Sequence, residues 1–527
     1  MSLVSLSGDP NIDGLLWGVK WDSASLIYGF GASTSQYSGY QAGSIANFQA
    51  FNGVQKAAVV DTMAQLRGLT NLNLVFNSDG SLANLRYGEA SFVSQYVDPN
   101  TFLPIPGQIT TAVSTPPDPF FAPTFAYGDM FFNSTDYNSP QKGNFAYATI
   151  LHETGHSLGL KHGHSAQTYP DGSFVIAALP ANRDGMEFSV MTYRSQVGGP
   201  TDFYHNETFG FAQTYMMNDI AALQYLYGAD YTFHATATSY TWNPNTGEMF
   251  VNGVGQGTPG ANRIFLTIWD GGGIDTYDFS NYGTDLKVNL APGNWSLLAH
   301  SQLAMLNTDT GALARANVFN ALLFAGDQRS LIENATGGTG KDDLRGNSVA
   351  NLLIGNDNAD KLFGLAGNDS LVGGNGADRL DGGTGNDVLN GGGGGDILIG
   401  AVGNDRLLGA SGGDAMAGGL GNDVFVYNAP TDGNDGIVDF SSSAAGDNDR
   451  FEFSGAGFGG LAAGRLTAAQ FQSNTSAVSN LAGVGFLFET DTWTLRFDSD
   501  GSGGTAAMII ATLQAGAQVL LNDILII

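Results

Sequence analysis

Apolar residues in the first half of the chain recur with spacings that predict both helices and strands. Residues 54–66 place them at helical spacing, whereas residues 72–76 alternate apolar and polar positions as a half-buried strand does. Residues 125–133 indicate another strand. Residues 219–228 predict a second helix, which Gly228 would end. This mixture of elements with irregular loops predicts an α+β domain.

A different pattern, with a period of nine residues, fills residues 337–426. The first position is always Gly, the sixth is Asp except at Asn351, and the eighth is apolar. Collagen is excluded because its period is three, and a flexible linker is excluded because linkers keep no register of Asp and Leu. The form GGxGxDxUx is typical of a parallel β-roll.

Glycine and aspartate at these positions predict calcium-binding turns. Glycine lets the turn direct its carbonyls inward, and Asp adds carboxylates, which together suit a hard cation at roughly 2.3–2.6 Å. Without a cation the stacked carboxylates would repel one another. The segment WDGGGIDTYDFS at 269–280 is similar to a degenerate entry to the same array. The predicted calcium ligands are Asp270, Gly272, Asp275, Gly338, Gly340, Asp342, Asp360, Gly367, Asp369, Gly374, Gly376, Asp378, Gly383, Gly385, Asp387, Gly392, Gly394, Asp396, Gly403, Asp405, Gly412, Asp414, Gly419, Gly421 and Asp423.

Composition narrows the classes of function. The 527 residues include 75 Gly, no Cys, and 49 acidic against 20 basic residues, a formal net charge of −29. Such a charge repels nucleic acids and anionic membranes, so we expect neither as a partner. The absence of Cys excludes disulfides and thiol catalysis. No apolar run approaches the ~18 residues of a membrane span, and the N-terminus lacks the features of a Sec signal peptide.

These patterns divide the chain into four predicted regions. They are an α+β domain at 1–245, a transition at 246–336, the nonapeptide array at 337–426 and a β cap at 427–527. In the cap, Trp493, Leu495 and Phe497 alternate as in a strand. The following DSDGSG at 498–503 resembles part of a calcium loop, and a plain turn explains it equally well.

The candidate chemistry is concentrated in the run LHETGHSLGLKHGH. His152 and His156 lie four residues apart and so share one helix face, with Glu153 beside them, as in the zinc-binding motif HExxH. If the helix continued, His162 would lie about 9 Å further along and about 240° around from His156. We therefore expect Gly159 to end the helix and turn His162 back towards the metal. His164 is a rival third ligand.

Three imidazoles leave a zinc ion one open position for water, which is typical of a catalytic site. Zinc lowers the pKa of that water towards ~7, and Glu153 would take its proton and pass it to a leaving amine. The motif therefore indicates zinc-dependent hydrolysis of peptide bonds.

The long form HExxHxxGxxH, followed by SVMTYR at 189–194, resembles the metzincin proteases. Met191 matches the Met-turn below the three histidines of that family, and Tyr193 matches the extra zinc ligand of serralysins, which also stabilises the oxyanion of the tetrahedral intermediate. A metzincin domain joined to a calcium β-roll is similar to the serralysin architecture. The segments at 11–30 and 219–229 also resemble that family.

Two positions depart from the serralysin pattern. Serralysins usually have Pro after the third histidine, whereas Gly163 and then His164 follow here. Arg194 stands where an aromatic residue is common, which would alter a substrate pocket.

The resemblance implies an α+β metzincin domain followed by an all-β RTX roll, in a zinc endopeptidase secreted by a Gram-negative bacterium. It implies one catalytic Zn²⁺, several structural Ca²⁺ ions, and extracellular proteins or peptides as substrates. Asp523 followed by Ile-Leu-Ile-Ile is similar to the signal of type I secretion substrates, so we expect that machinery as a partner. A small periplasmic protease inhibitor is also implied, and we expect a monomer.

In this interpretation His152, His156, His162 and Tyr193 are zinc ligands, and Glu153 is the general base. The competing hypothesis is a calcium-dependent surface or adhesion protein that carries a degenerate protease domain. An intact Glu153 and Tyr193 argue against it.

Overall fold

The computed structural model describes residues 1–37, 40, 45–93, 96–97, 104–105, 111–117, 127–169, 172–442, 447–475 and 478–527. The chain forms two compact units. The first comprises residues 1–238, 242–273 and 292–331, and the second comprises 239–241, 274–291 and 332–527. The four predicted regions are not equivalent to these units, and their boundaries remain predictions.

A mixed sheet organises the first unit. Its described strands, in spatial order, are Ala112–Ser114, Asp129–Phe132, Leu85–Glu89, Ser25–Phe30 and Asn73–Phe76. The first of them is antiparallel to its neighbour, and the other neighbours are parallel. One outermost strand is therefore antiparallel and the other parallel.

The helices of this unit are α1 (Pro10–Asp13), α2 (Gly53–Leu69), α3 (Phe145–Ser157) and α4 (Met217–Tyr227). The two helices predicted from periodicity, α2 and α4, are confirmed. Val59, Met63 and Leu66 of α2 are fully buried. Gly228 ends α4 with a φ of +78°, which a residue without a side chain adopts at little cost.

Two apolar residues of the predicted pattern are not in the core. Val54 is 53% exposed and Phe76 is 50% exposed, because both lie at the ends of their elements, where the next layer does not cover them. The strand predicted at 125–133 is observed as Asp129–Phe132, and residues 125 and 126 lie outside the described residues.

Short strand pairs complete the first unit. They are Ser2–Leu3 with Val19–Lys20, Ile45–Ala46 with Phe92–Val93, Tyr96–Val97 with Pro104–Ile105, Gln167–Thr168 with Val175–Ile176, Met249–Val251 with Val254–Gly255, Met305–Asn307 with Ala312–Leu313, and Val318–Asn320 with both Leu266–Ile268 and Trp295–Ser296.

The second unit is built from two long sheets. One contains Ser239–Trp242, Thr276–Asp278, Asn334–Thr336, Leu352–Asp357, Ser370–Asn375, Val388–Gly393, Arg406–Ser411, Val424–Tyr427, Arg450–Phe453, Ile524–Ile526 and Gly464–Arg465. The other contains Lys287–Asn289, Asp343–Arg345, Lys361–Ala366, Arg379–Thr384, Ile397–Val402, Ala415–Leu420, Asp435–Ile437, Met508–Leu513, Thr494–Asp498, Gly485–Glu489 and Phe471–Asn474. Successive nonapeptides alternate between the sheets, so each turn takes two of them.

Parallel pairing in register holds the roll together. Leu371 pairs with Leu389 in one sheet, and Leu362 pairs with Leu380 in the other. The eighth residue of every nonapeptide is buried: Leu344, Leu353, Leu362, Leu371, Leu380, Leu389, Leu398, Leu407, Met416 and Phe425. The predicted β-roll is therefore confirmed, with a core one large side chain thick for each strand.

The predicted β cap continues the same stacking. Val424–Tyr427 pairs with Arg450–Phe453, which pairs in turn with Ile524–Ile526. Leu495 and Phe497 are buried in Thr494–Asp498, as their alternation predicts, while Trp493 precedes this strand with a φ of +52°. In the part of the chain that the structure describes, no helix has the length and apolarity that a membrane span requires.

Successive turns of the roll approach each other closely, and this contact predicts which glycines cannot be replaced. A Cβ on Gly394, whose φ is +140°, would overlap the carbonyl oxygen of Gly376 one turn earlier. On the adjacent Gly395 the nearest atom to an added Cβ is 3.4 Å away. We expect Gly394→Ala to lower the stability of the calcium-loaded roll by about 1–3 kcal/mol. Gly395→Ala should stay within about 1 kcal/mol of the parent chain.

Thermal unfolding followed by circular dichroism measures both variants. Equal melting temperatures for the two would contradict the proposed contact between turns.

Candidate metal centre

Helix α3 presents the first two histidines and then ends as the spacing predicts. Its last residue is Ser157, and the amide of Leu158 still donates to the carbonyl of Thr154 at 3.1 Å. Gly159 follows with a φ of +102°. A Cβ at Gly159 would overlap the carbonyl oxygen of Val19, so this position requires glycine for its conformation and for its space.

After this turn the third histidine returns to the first two. The Nε2 atom of His156 lies 3.0 Å from that of His152 and 3.0 Å from that of His162. The Nε2 atoms of His162 and His152 are 3.2 Å apart. Among the described residues this is the one group of three or more His, Asp or Glu side chains close enough to share an ion.

Hydrogen bonds set the tautomers of two of these rings. His152 Nδ1 lies 2.8 Å from the carbonyl of Val190, and His156 Nδ1 lies 2.8 Å from the carbonyl of Leu160. A carbonyl can only accept, so each Nδ1 carries the proton and each Nε2 presents a lone pair to the centre. Burial lowers the pKa of His152 to about 3 and that of His156 to about 4, which keeps both rings neutral.

This arrangement fits a zinc ion. A tetrahedral ion with nitrogen ligands at 2.0–2.1 Å has ligand-to-ligand edges of about 3.3–3.4 Å. The observed edges of 3.0–3.2 Å are close to that value. Three imidazoles whose Nε2 atoms converge on one point are a donor set that zinc commonly takes, and they leave a fourth position free for a small ligand.

Glu153 lies beside His152 on α3 and is 6% exposed. Burial raises the pKa of its carboxyl group to about 8. A cavity of about 500 Å³ begins at Glu153 and His152. Its other lining residues are largely aromatic or aliphatic: Thr111, Tyr137, Phe145, Ala148, Thr149, Met186, Val190, Tyr193, Asp202, Phe203, Tyr204 and Phe211.

Met191 forms a fully buried floor beneath α3. Its Sδ lies 2.6 Å from the point where a Cβ on Gly155 would stand, so Gly155 allows helix and methionine to touch. A residue that the sequence patterns do not single out holds this turn. Asp219 accepts hydrogen bonds from Ser189 Oγ at 2.5 Å and from the amide of Val190 at 2.8 Å.

Asp219 also accepts from the amide of Met216 at the start of α4. From the sequence it is an ordinary acidic residue of a first helical turn, and nothing in the spacing indicates its second set of partners. Lys161 is a second such residue. Its buried ammonium donates to the carbonyls of Gly14 at 2.6 Å and Ser165 at 2.8 Å, which anchors the chain beside His162.

Tyr193 and His164 lie at the edge of the histidine cluster. The ring of Tyr193 is centred 4.4 Å from that of His162 and 4.7 Å from that of His164. The amide of Tyr193 donates to Nδ1 of His164 at 3.3 Å, so the lone pair of that nitrogen is directed away from the centre. Arg194, at the position that departs from the family pattern, is held by Asp184 at 2.7 Å.

Buried carboxylates line the turns of the roll. In each of the inner turns Oδ1 of the repeat Asp accepts a hydrogen bond from the backbone amide 18 residues earlier; for example, Asp360 accepts from Asp342 at 2.7 Å. The second oxygen, Oδ2, is buried without a hydrogen-bond partner in Asp360, Asp369, Asp378, Asp387, Asp396, Asp405, Asp414 and Asp423. Orphaned carboxylate oxygens beside backbone carbonyls fit a calcium ion.

Most of the predicted glycine ligands share a left-handed backbone conformation. All of them except Gly338 and Gly340 have a positive φ. These two lie against the carbonyls of Tyr282 and Thr284. Asp342 differs from the inner repeats, because both of its oxygens accept backbone hydrogen bonds, from Leu286 at 2.9 Å and from Gly338 at 2.8 Å.

Asn351, the single Asn in the row of repeat aspartates, finds hydrogen-bond partners for its side-chain amide within the protein. Asn351 Nδ2 donates to the carbonyl of Glu333 at 2.8 Å and to Oδ1 of Asn347 at 3.1 Å. An amide nitrogen with these partners cannot act as a ligand, so the turn at Asn351 has fewer oxygens to offer a cation.

Two further carboxylates extend the row beyond the repeats. Asp435 accepts from the amide of Asp414, and Asp449 accepts from the amide of Asp423, each at 2.9 Å. Their spacings of 21 and 26 residues break the period, which is why the nonapeptide pattern does not find them. Asp270 is buried in the first unit, with Gly272 donating to it at 2.9 Å, and Asp275 is buried in the second unit.

Comparison with known proteins finds a family model that matches part of this chain. Residues 229–455 match the family described as Peptidase M10 serralysin C terminal. The chain is similar to the serralysins in this region. The predicted resemblance to serralysin-type metalloproteases is thereby confirmed.

Individual relatives agree with the family match. The chain is 31% identical to Metallopeptidase AprA of Pseudomonas marginalis over 334 residues, which are 62% of this chain and 61% of that protein. It is 31% identical to Serralysin of Photorhabdus luminescens over 315 residues, 59% of this chain and 56% of that protein. The chain thus spans about three fifths of the length of these serralysin relatives.

One solved structure with 26% identity is the AlgE6R3 subunit of the Azotobacter vinelandii mannuronan C5-epimerase. It covers 28% of this chain and 77% of that one, and its TM-score of 0.21 supports no argument about fold or function.

The buried carboxylates predict how the calcium-free roll responds to pH. Burial raises the pKa of Asp360, Asp369 and Asp405 to about 7 and that of Asp396 to about 6. The pKa of an unfolded Asp is about 3.9, so between these pH values the folded roll binds more protons than the unfolded chain. Its stability must therefore fall as the pH rises through this window.

We expect the protein in excess calcium chelator to keep more β-sheet circular dichroism at pH 5 than at pH 8. Calcium-loaded protein at pH 8 is the control, and it should keep its full signal because the cation replaces the protons. A chelated roll that is equally folded at both pH values would contradict the argument.

Proposed function

We propose that this protein is a secreted zinc-dependent endopeptidase whose N-terminal unit has the metzincin fold. The observation that carries the proposal is the convergence of the Nε2 atoms of His152, His156 and His162 within 3.2 Å of one another, beside Glu153 and an apolar cavity. A zinc ion held there would supply a Lewis acid and lower the pKa of a bound water.

The protein residues would manage protons and position the substrate. Glu153 Oε atoms accept a proton from the attacking water and return it to the leaving amine. Burial raises the pKa of this carboxyl group, which makes it a stronger base towards the water proton than an exposed glutamate. The phenol of Tyr193, which the family resemblance assigns to the oxyanion, lies at the edge of the same cluster.

An outermost strand offers a place for the peptide backbone. Ala112–Ser114 pairs only with Asp129–Phe132 among the described strands, in antiparallel register. The amide of Asn133 donates to Thr111, and that of Thr115 donates to Asp129. By the alternation of antiparallel ladders, the main-chain groups of residues 112 and 114 face away from the sheet. An extended peptide can pair with them, which is β-strand addition.

The cavity beside Glu153 would then take one substrate side chain. Its volume of about 500 Å³ and its lining by Phe145, Met186 and Phe211 favour a large apolar side chain next to the scissile bond. The roll would bind several calcium ions through its orphaned carboxylates, and calcium would fold it after export. Type I secretion and a periplasmic inhibitor follow from the serralysin resemblance.

The role of Glu153 can be tested directly. Glu153→Gln keeps the size of the side chain but cannot take a proton. We expect the zinc content to stay near one ion per chain while hydrolysis of fluorescent casein falls about 10²–10⁴-fold. Parent protein treated with a zinc chelator is the control for metal dependence. Near-normal turnover by the zinc-loaded variant would remove Glu153 from the mechanism.

The third zinc ligand is tested by a pair of neighbouring histidines. His162→Ala removes a nitrogen from the cluster, whereas His164→Ala removes only the acceptor of the Tyr193 amide. We expect the first variant to lose most of its zinc on dialysis and the second to keep it, as measured by atomic emission on purified protein. The reverse result would show that the chain turns back in a different register.

A further inference from the structure

A second cavity of the first unit lies between α2 and the ends of two parallel strands. Its volume is about 510 Å³. Phe30 and Phe76 close the strands Ser25–Phe30 and Asn73–Phe76, and Lys56 and Val60 stand one turn apart on α2. In open α/β sheets the carboxyl ends of parallel strands are where ligands commonly bind.

The walls of this groove are apolar, and the described part of the chain leaves them partly exposed. Phe76 is 50% exposed and Val60 is 43% exposed. Phe76 continues the apolar alternation of its strand, yet no element of the described chain covers it. Phe30 lies against Phe76, with ring centroids 5.8 Å apart, so the two rings form one continuous wall. Several apolar side chains left open on one small surface often mark a binding site.

The groove contains one charge. The ammonium of Lys56 stands 5.5 Å from the centroid of the Phe30 ring. Among the described residues it forms no ion pair, although the chain has 49 acidic residues against 20 basic ones. The other groove residues, which include Ala32, Ala50 and Ser78, carry no charge. A half-buried cation that pairs with none of the described carboxylates, in a chain so rich in them, is suited to an anion from outside.

From these observations we infer that the groove between α2 and Phe76 binds a small apolar carboxylate. The carboxylate would pair with Lys56, and its aromatic or branched body would lie on Phe30, Phe76 and Val60. A single lysine balances one negative charge, whereas a phosphate would call for further donors such as an arginine or several amides. The volume suits one ligand of drug size.

The site is separate from the histidine cluster and does not depend on the proposed function. If the protein does hydrolyse peptides, it releases new carboxyl termini, and those that follow an apolar residue belong to this ligand class.

Isothermal titration calorimetry of the calcium-loaded, full-length protein tests the inference with 4-phenylbutyrate and its neutral analogue 4-phenylbutanamide. We expect one equivalent of the acid to bind at least ten times more tightly than the amide. Lys56→Met keeps the length of the side chain and should make the two affinities equal. Lys287→Met, which removes an exposed lysine of the second unit, should leave the tenfold preference intact.

Phe76→Ala should weaken the binding of acid and amide alike, because it removes part of the apolar wall. N-acetylglycylphenylalanine with a free carboxylate is the second arm. If this dipeptide binds, the ligand class includes peptide C-termini. If 4-phenylbutyrate binds and the dipeptide does not, the ligand class is restricted to small carboxylic acids. An acid-to-amide preference that survives Lys56→Met, or an equal loss of preference in Lys287→Met, would overturn the proposal.

Discussion

A buried carboxylate must receive either a proton or a cation, and the second unit repeats this requirement at every turn. The inner aspartates of the roll give one oxygen to a backbone amide and leave the other buried without a partner. Their pKa values are raised because burial disfavours the charged form. The thin core alone offers little stabilisation. The stability of the roll, with its parallel register and close-packed glycines, therefore depends on how the charge of these carboxylates is compensated.

Burial also disfavours the charged form at the histidine cluster, where it lowers the pKa instead of raising it. Here burial lowers the pKa of His152 and His156, and two backbone carbonyls fix the ring protons on the outer nitrogens. The result is a set of neutral donors directed to one point, which prepares the site for a dication. Both candidate metal-binding regions are thus shaped by desolvation and backbone hydrogen bonds, one through carboxylates and the other through imidazoles.

Support for the histidine cluster comes from residues that are distant in sequence. Asp219 connects the start of α4 to the turn above Met191, and Lys161 anchors the segment just before His162. Each satisfies several buried polar groups at once, so neither can be replaced by an apolar residue without leaving donors or acceptors unpaired. The edge strand at residues 112–114 and the aromatic cavity form the surface that the proposed function assigns to an extended peptide.

Local spacing determined much of this protein. The nonapeptide period gave the roll, its buried eighth position and the aspartate row, because each repeat interacts with a copy of itself one turn away. The histidine spacing and Gly159 predicted that His162 lies close to His152 and His156. A single reversal of the chain is enough to bring it back to the helix. Contacts at long range were decided by the tertiary structure alone. Three features depend on how distant segments pack, and no short-range pattern encodes that packing. They are the hydrogen bond between Asp219 and Val190, the carboxylates of Asp435 and Asp449 outside the period, and the exposed ring of Phe76 beside Lys56.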